Sequence, residues 1–284
     1  MLKKCCNVRI LTPGFGGELG DFVTTNTRES LIFEVRGTVH ESLQVIDRRG
    51  IRYLRFGMHG GWQGALCQTN LDEIVFAYQR GFSAVVQHLP KVERFLALGL
   101  GVGTGLRTVR RWHPASVLHA VELDEPVIDT AIDYFKSPEY GRATYFIADG
   151  VEFIRKPGRH YDLVFVDAYL QRSIYQPVLS DAFIRHLANC VSPGGTVVMN
   201  IITSTYEERH LEPFMAAARA SFSEIGVLPV GLPMTNQNMI FILSHHNGLI
   251  RGLSGRLRYL DGLRWNERLF WPMRFRSVQT STVL

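Results

Sequence analysis

Short apolar runs separated by glycine dominate the first part of the chain. They are rich in β-branched and aromatic residues and occupy Ser30–Val35, Ser42–Asp47 and Ile51–Phe56. The second and third runs flank a tight turn at residues 48–50, a spacing that predicts a β-hairpin. We therefore expect a small antiparallel sheet in this region.

Apolar strand-like runs alternate with helical patterns from Arg94 onward. This alternation predicts a parallel sheet covered by helices on both faces, with an antiparallel pair at one end. The seven predicted strands are Arg94–Leu100, Val117–Val121, Thr144–Ile147, Leu163–Asp167, Gly195–Ile202, Glu224–Val230 and Met239–Ser244. A helix is also expected ahead of the first strand, capped by Asn70 or Asp72 and ending near Val86.

Positive charge is concentrated near the C-terminus. The 284 residues carry a net charge of +5, and residues 251–284 hold seven arginines against two acids. The rest of the chain is therefore neutral, so a basic surface for nucleic acid would have to lie in these residues. Because five aromatic residues accompany the arginines, we expect them to pack or to form a subunit interface, and we do not expect a nucleic-acid partner.

The composition narrows the class of protein further. Hydrophobic residues make up 46% and charged residues 20% of the chain, as is typical of soluble globular proteins. No apolar run approaches the roughly 20 residues that span a bilayer, and the N-terminal residues lack the apolar core of a signal peptide. We expect a cytoplasmic protein without a membrane partner. The cysteines have no metal-ligand spacing, so no metal is expected.

A glycine-rich turn follows the first predicted strand of the main sheet. Gly99, Gly101 and Gly103 lie between this strand and the next helical pattern, and Glu122 ends the second strand. Glycine lets a ligand approach the backbone closely, and the helix N-terminus offers unpaired N–H groups. Glu122 can accept hydrogen bonds from both hydroxyls of a ribose. The order strand, glycine turn, helix, strand and acid is typical of a nucleotide-binding unit.

Acids also end the next two predicted strands. Asp149, followed by Gly150, comes after the third strand, and Asp167 ends the fourth. In a parallel sheet, ligands bind beyond the carboxyl ends of the strands. Four successive strand ends therefore each supply a glycine turn or an acid to one edge of the sheet, which predicts an adenosine-type ligand.

Residues from about Leu31 to Ser244 resemble the spermidine synthase (polyamine aminopropyltransferase) family. The motifs that carry the resemblance are Gly99–Arg107 (GLGVGTGLR), Val121–Asp124 (VELD), Asp149-Gly150 and Tyr161–Asp167 (YDLVFVD). The resemblance implies a small N-terminal β-domain and a seven-stranded methyltransferase-like Rossmann sheet. We accordingly divide this α/β protein into a β-domain at 1–69, an S-adenosylmethionine-binding domain at 70–250 and a basic aromatic tail at 251–284.

The resemblance also implies roles for individual residues. Glu122 should hold the ribose, Asp149 should hold the adenine amino group, and Asp167 should lie beside the reacting amine. The implied ligand-binding residues are Gln63, Gly99, Gly101, Gly103, Glu122, Leu123, Asp149, Gly150 and Asp167. As catalytic residues we predict Asp167, as the base, and Tyr169, which would orient the acceptor.

Several positions depart from the pattern of the family. Val102 stands where aminopropyltransferases carry the acid that binds the free amine of decarboxylated S-adenosylmethionine, and Leu170 replaces a second acid. Phe76, Ala77 and Tyr78 replace a Tyr-His-Glu sequence. Because a polycationic acceptor requires several carboxylates in its pocket, these replacements predict a more apolar pocket than a polyamine needs.

These departures favour transfer of a methyl or other alkyl group from S-adenosylmethionine to a small non-polyamine acceptor. The alternative is an aminopropyltransferase that uses decarboxylated S-adenosylmethionine in polyamine synthesis. A non-catalytic nucleoside-binding protein is a third interpretation, from another functional class. The resemblance further implies a homodimer or tetramer, and the expected partner is a small-molecule acceptor.

Overall fold

The structure of the protein is a computed structural model that describes residues 29–58, 60–155, 158–167, 169–170, 173–203, 211–231 and 237–278. The side chains of residues 169, 170, 173 and 174 lie outside this description. Two large sheets form the described fold, one of four strands and one of eight, and a short two-stranded ribbon accompanies them. The predicted α/β class and the separate N-terminal antiparallel sheet are confirmed.

The four-stranded sheet is an antiparallel meander. Its strands are β1 (Ser30–Val35), β2 (Leu43–Arg48), β3 (Ile51–Phe56) and β4 (Trp62–Cys67). Strands β2 and β3 form the predicted hairpin, in which Arg48 pairs with Ile51. The two turn residues, Arg49 and Gly50, have φ values of 51° and 76°, a combination that matches the right-handed twist of the paired strands.

The eight-stranded sheet is mixed and forms the centre of the molecule. Its order is β14-β12-β13-β11-β8-β5-β6-β7, with β13 and β14 antiparallel to their neighbours. The strands are β5 (Arg94–Leu98), β6 (Val117–Glu122), β7 (Thr144–Ile147), β8 (Tyr161–Val166), β11 (Val191–Thr203), β12 (Glu224–Pro229), β13 (Gln237–Ser244) and β14 (Arg276–Val278). The ribbon, which follows β8 along the chain, consists of β9 (Tyr169–Leu170) and β10 (Ser173–Ile174).

Helices cover both faces of the large sheet. They are α1 (Ala77–His88), α2 (Thr104–Trp112), α3 (Glu125–Phe135), α4 (Gly150–Arg155), α5 (Asp181–Cys190), α6 (Glu212–Ser221), α7 (Leu249–Arg256) and α8 (Trp265–Arg274). Two separate clusters of buried apolar side chains fill the layers on either side of the sheet. Within the described ranges, no helix is long and apolar enough to cross a membrane.

The prediction of seven strands is wrong by one. The additional strand, β14, comes from residues 251–284, which the sequence predicts as a tail. Ile225 of β12 pairs with Val278, and Val227 pairs with Arg276. Without this pairing, β12 would expose the unpaired N–H and C=O groups of an edge strand. The short length of β14 hides it from a search for periodic runs.

Helix α1 begins later than the sequence predicts. Asn70 does not cap it; the Asn70 side chain accepts a hydrogen bond from the Asp72 N–H at 3.2 Å and so stabilises a turn. The carbonyl groups of Ile74 and Val75 instead receive hydrogen bonds from Arg80 Nη1 at 2.6 and 2.7 Å. These contacts hold residues 70–76 out of the helix.

Val102 packs between the two sheets. It is 1% exposed and belongs to an apolar cluster with Leu43, Leu54 and Phe56 of the four-stranded sheet. A Cβ atom added to Gly64 of β4 would lie 2.5 Å from Val102 Cγ1. The side chain of Val102 therefore determines how closely β4 approaches the large sheet.

A Gly64→Ala substitution should destabilise the protein by about 1–3 kcal/mol, because the added methyl group overpacks this contact. Urea unfolding measures the loss. Gly61→Ala is the matched control, since a Cβ atom there would meet no heavy atom within 4 Å. Equal unfolding midpoints for the two variants would contradict the proposed packing.

Candidate active site

A cavity of about 670 Å³ lies at the carboxyl edge of the large sheet, beneath the four-stranded sheet. This volume is within the range of small-molecule sites. Both sheets and helix α1 contribute to its wall. The polar side chains in the wall are those of His40, Trp62, Gln63, Tyr78, Glu122, Asp149, Asp167, Tyr175, Asn200 and Asn238.

The glycine loop forms one side of the cavity. Gly99 and Gly101 line it and have φ values of 88° and 54°, a region that favours glycine. A Cβ atom on Gly101 would lie 3.4 Å from the carbonyl oxygen of Gln63, so the loop and β4 approach closely. Gly103 lies outside the wall; a Cβ atom there would be 2.1 Å from Ser137 Oγ. Gly103 therefore packs closely against Ser137.

Glu122 ends β6 and faces the cavity. Its Oε2 atom accepts a hydrogen bond from the Leu100 N–H at 3.0 Å, and Oε1 accepts from the Leu123 N–H at 2.8 Å. Burial raises the pKa of Glu122, and the backbone hydrogen bonds oppose this effect. The Asp124 N–H also donates to Oε1, at 3.1 Å. These three bonds hold the carboxylate at the strand end and leave Oε2 with a further acceptor position for a ligand hydroxyl.

Asp149 lies at the start of α4. Its Oδ1 atom accepts a hydrogen bond from the Val151 N–H at 2.7 Å, and Oδ2 accepts from the Tyr175 hydroxyl at 2.8 Å. The second bond raises the pKa of Tyr175. Gly150 also lines the cavity. Asp149 therefore caps the helix and connects it to the chain that follows the β9–β10 ribbon.

Asp167 follows β8 at the centre of the sheet edge. Its Oδ1 atom accepts a hydrogen bond from Asn200 Nδ2 at 2.9 Å. Burial raises the pKa of Asp167, while hydrogen bonds from Asn200 and Tyr78 act in the opposite direction. A carboxylate with a raised pKa is a better proton acceptor than an exposed aspartate. Asp167 is thus suited to act as a base.

Asp124 does not face the cavity, although it follows Glu122 by only two residues at the end of β6. It is fully buried and accepts hydrogen bonds at 2.7 Å from the Thr38 N–H and from the Thr38 hydroxyl. It also accepts from the His40 N–H at 3.0 Å. Asp124 therefore fixes the loop between β1 and β2 against the large sheet.

The structure brings most of the predicted ligand-binding residues together. Those in the cavity wall are Gln63, Gly99, Gly101, Glu122, Leu123, Asp149, Gly150 and Asp167. Gly103 is the exception. The side chain of Tyr169, the second predicted catalytic residue, lies outside the described part of the chain. The roles of all these residues remain predictions.

The sequence did not identify His40, Asn200 or Asn238, three polar residues of the wall. His40 is 6% exposed and stacks on Phe56, with ring centroids 3.8 Å apart. Burial lowers the pKa of His40, although Asp124 opposes the effect. Asn200 is a polar residue within the apolar run of β11, and this interruption of the apolar pattern could have marked it as a candidate site residue. No local pattern marks His40, because its position depends on contacts with a distant strand.

Comparison with known proteins places the chain in a family. Residues 75–250 match the spermine/spermidine synthase domain. The chain is 27% identical over 147 residues to a probable polyamine aminopropyl transferase of Bifidobacterium longum, covering 51% of this chain and 32% of that protein. It is 23% identical over 227 residues to a polyamine aminopropyltransferase of Salmonella newport, covering 78% of this chain and 77% of that protein.

A solved structure shows the same fold. The probable spermidine synthase from Corynebacterium glutamicum superimposes with a TM-score of 0.70 at 16% identity, covering 87% of this chain and 90% of that chain. The chain spans about a third of the length of the Bifidobacterium relative, but the matched domain makes up more than half of the present chain. The chain therefore belongs to the spermine/spermidine synthase family, whose members are transferases.

Proposed function

We propose that the protein transfers an aminopropyl group from decarboxylated S-adenosylmethionine to an amine. The charge of the cavity carries this proposal. Three acids line it, Glu122, Asp149 and Asp167, and its described wall contains no lysine or arginine. Burial lowers the pKa of His40, which disfavours a positive charge on its side chain. Such a site attracts a cationic sulfonium and a cationic amine. The names of the curated relatives support the same reaction.

The residues present fit a ligand of this kind. Glu122 would accept hydrogen bonds from the ribose, and Asp149 would accept one from the adenine amino group. Gly99 and Gly101 leave space beside the backbone that side chains would fill. A bound sulfonium ligand would supply an activated carbon, whose bond to sulfur breaks as the sulfur takes the electron pair.

Asp167 would prepare the acceptor for this reaction. An amine must lose a proton to expose its lone pair, and the carboxylate of Asp167 can accept that proton. The nitrogen then forms a bond to the carbon, and the products are an alkylated amine and a neutral thioether. Asn200 and Tyr78 hold the carboxylate through hydrogen bonds, so much of the catalytic effect would come from alignment.

The acceptor should carry fewer charges than a linear polyamine. Glu122 and Asp149 are assigned to the ribose and the adenine amino group of the donor, which leaves Asp167 as the carboxylate for the acceptor among the described wall residues. Phe76 and Ile202 are also part of the wall. We infer an amine with one cationic end near Asp167 and an apolar remainder.

Methyl transfer from S-adenosylmethionine is the second candidate, and Val102 is the observation that favours it. Its side chain is buried against Gly64 and is absent from the described wall. The glycine loop therefore offers no carboxylate for the free amine of a decarboxylated ligand. Its backbone N–H groups could instead receive the carboxylate of S-adenosylmethionine.

The thioether product distinguishes the two candidates. We expect 5′-methylthioadenosine to form from decarboxylated S-adenosylmethionine and a panel of monoamines, because loss of the aminopropyl group leaves the methyl group on sulfur. Methyl transfer would instead release S-adenosylhomocysteine from S-adenosylmethionine. Mass spectrometry of both donors with each acceptor measures this. Formation of S-adenosylhomocysteine alone would refute aminopropyl transfer, and binding without either product would support the non-catalytic interpretation.

A further inference from the structure

The C-terminal segment, residues 251–278, lies outside the residues that match the family but is joined to the cavity wall by a buried ion pair. Arg80 of α1 and Glu267 of α8 have side chains that are 5% and 6% exposed. Arg80 Nε lies 2.9 Å from Glu267 Oε2, and Arg80 Nη2 lies 2.6 Å from Oε1. Two parallel charge-assisted bonds fix the orientation of the guanidinium.

The same guanidinium holds the chain that enters the cavity wall. Its Nη1 atom donates to the carbonyl oxygens of Ile74 and Val75 at 2.6 and 2.7 Å. The next residues, 76–78, line the cavity. Tyr78, in turn, donates a hydrogen bond to the carboxylate of Asp167. A continuous series of contacts thus connects Glu267 to the candidate base.

Helix α8 makes a second contact with the wall through Arg274. This residue donates hydrogen bonds to the carbonyl oxygen of Gly231 and, at 2.7 Å, to Gln237 Oε1. The next residue along the chain, Asn238, lines the cavity. Side chains of α8 therefore support two separate parts of the wall.

We propose that Glu267 is a positioning residue: by orienting Arg80, it holds residues 74–78 where Tyr78 can align the base and the acceptor. This role rests on the proposed transferase reaction. The carboxylate of Glu267 is not in the described cavity wall, so it acts through Arg80 and not on the substrate. Loss of Glu267 should weaken acceptor binding and make the backbone of residues 74–78 less well ordered.

A paired substitution separates positioning from stability. Arg80→Ala or Glu267→Ala alone leaves a partner without its counter-charge in a buried place, so either should destabilise the fold. The double variant Arg80→Met with Glu267→Leu replaces the pair by apolar side chains of similar volume, which preserves stability in many proteins. It lacks the hydrogen bonds to the carbonyl groups of Ile74 and Val75 and also the bond that Glu267 Oε2 accepts from the Arg264 N–H at 2.9 Å.

We expect the double variant to melt closer to the wild type than either single alanine variant, while amide exchange in residues 74–78 becomes about tenfold faster or more. Acceptor KM should rise about tenfold, with a smaller change in kcat. Glu267→Gln provides a milder test if the double variant does not fold. Asp47→Asn is the matched control, because Asp47 forms a two-bond pair with Arg52 at 2.8 and 2.9 Å away from residues 74–78.

Native amide exchange and native acceptor KM in the double variant would overturn the positioning role. Changes in exchange and KM that only parallel the fall in melting temperature across the variants would also overturn it. The exchange measurement needs no substrate. If the wild type shows no transfer with any donor, the proposed function fails while faster exchange in residues 74–78 still demonstrates the structural link.

Discussion

An Asp167→Asn variant should lose activity by about a hundredfold to ten-thousandfold in kcat, because asparagine cannot accept the proton of the attacking amine. Donor binding should remain close to the wild type, since Glu122, Asp149 and the glycine loop are unchanged. Product formation under donor saturation measures the first effect, and calorimetric titration with the donor measures the second. A variant that retains full kcat would exclude Asp167 as the base.

The stability of this variant gives an independent check. Burial raises the pKa of Asp167 above its unfolded value of 3.8, so this group lowers the stability of the folded protein at pH values above the unfolded pKa. A neutral asparagine side chain at this position would remove this cost, and the variant should therefore be at least as stable as the wild type at pH 7. The advantage should disappear as the pH falls below about 4, where the aspartate is protonated in both states.

Asp162→Asn is the matched control for Asp167. Asp162 lies at the opposite end of β8, where its Oδ2 atom accepts hydrogen bonds from the N–H groups of Glu93 and Arg94 at 2.8 and 2.9 Å. Its loss should reduce stability by about 1 kcal/mol and leave kcat unchanged. Equal losses of activity in the two variants would show that any change in β8 disturbs the site.

Local sequence patterns were sufficient to predict the strand-end part of the site. Glu122, Asp149 and Asp167 each follow an apolar run, and the carboxyl ends of parallel strands meet at one edge whatever the details of packing. The order of strands could therefore place all three acids in one cavity. The resemblance to the family added an expected role for each acid, and those roles stay predictions.

Contacts between distant parts of the chain could not be predicted in this way. Arg80 and Glu267 are separated by 187 residues, and Thr38 and Asp124 by 86. No periodicity links residues so far apart. The sequence therefore predicts that the C-terminal segment packs or forms an interface, but it does not identify Glu267 and Arg274 as the polar residues that join it to the rest of the fold. Asp124 is a second example, because it follows the same strand as Glu122 but binds the distant loop between β1 and β2.

Asp124→Ala should destabilise the protein by about 3 kcal/mol, because the substitution leaves the Thr38 N–H, the Thr38 hydroxyl and the His40 N–H without their acceptor. Release of this loop should also move His40 and Phe56 away from the cavity wall. Donor affinity should then fall together with stability. Urea unfolding and calorimetric titration measure the two effects. Native stability in this variant would show that the hydrogen bonds of Asp124 to Thr38 and His40 do not hold the loop between β1 and β2.

The pH dependence of stability tests these hydrogen bonds of Asp124 more specifically. Burial alone would raise the pKa of Asp124, but hydrogen bonds from Thr38 and from the backbone N–H groups of residues 38–40 outweigh it and lower the pKa below 3.8. The ionised carboxylate therefore stabilises the fold above about pH 4, and this contribution is lost as the pH falls through the folded pKa. Asp124→Asn should abolish the fall in unfolding free energy that this carboxylate causes at acid pH. Thr38→Val, which removes one hydrogen bond, should only make that fall smaller.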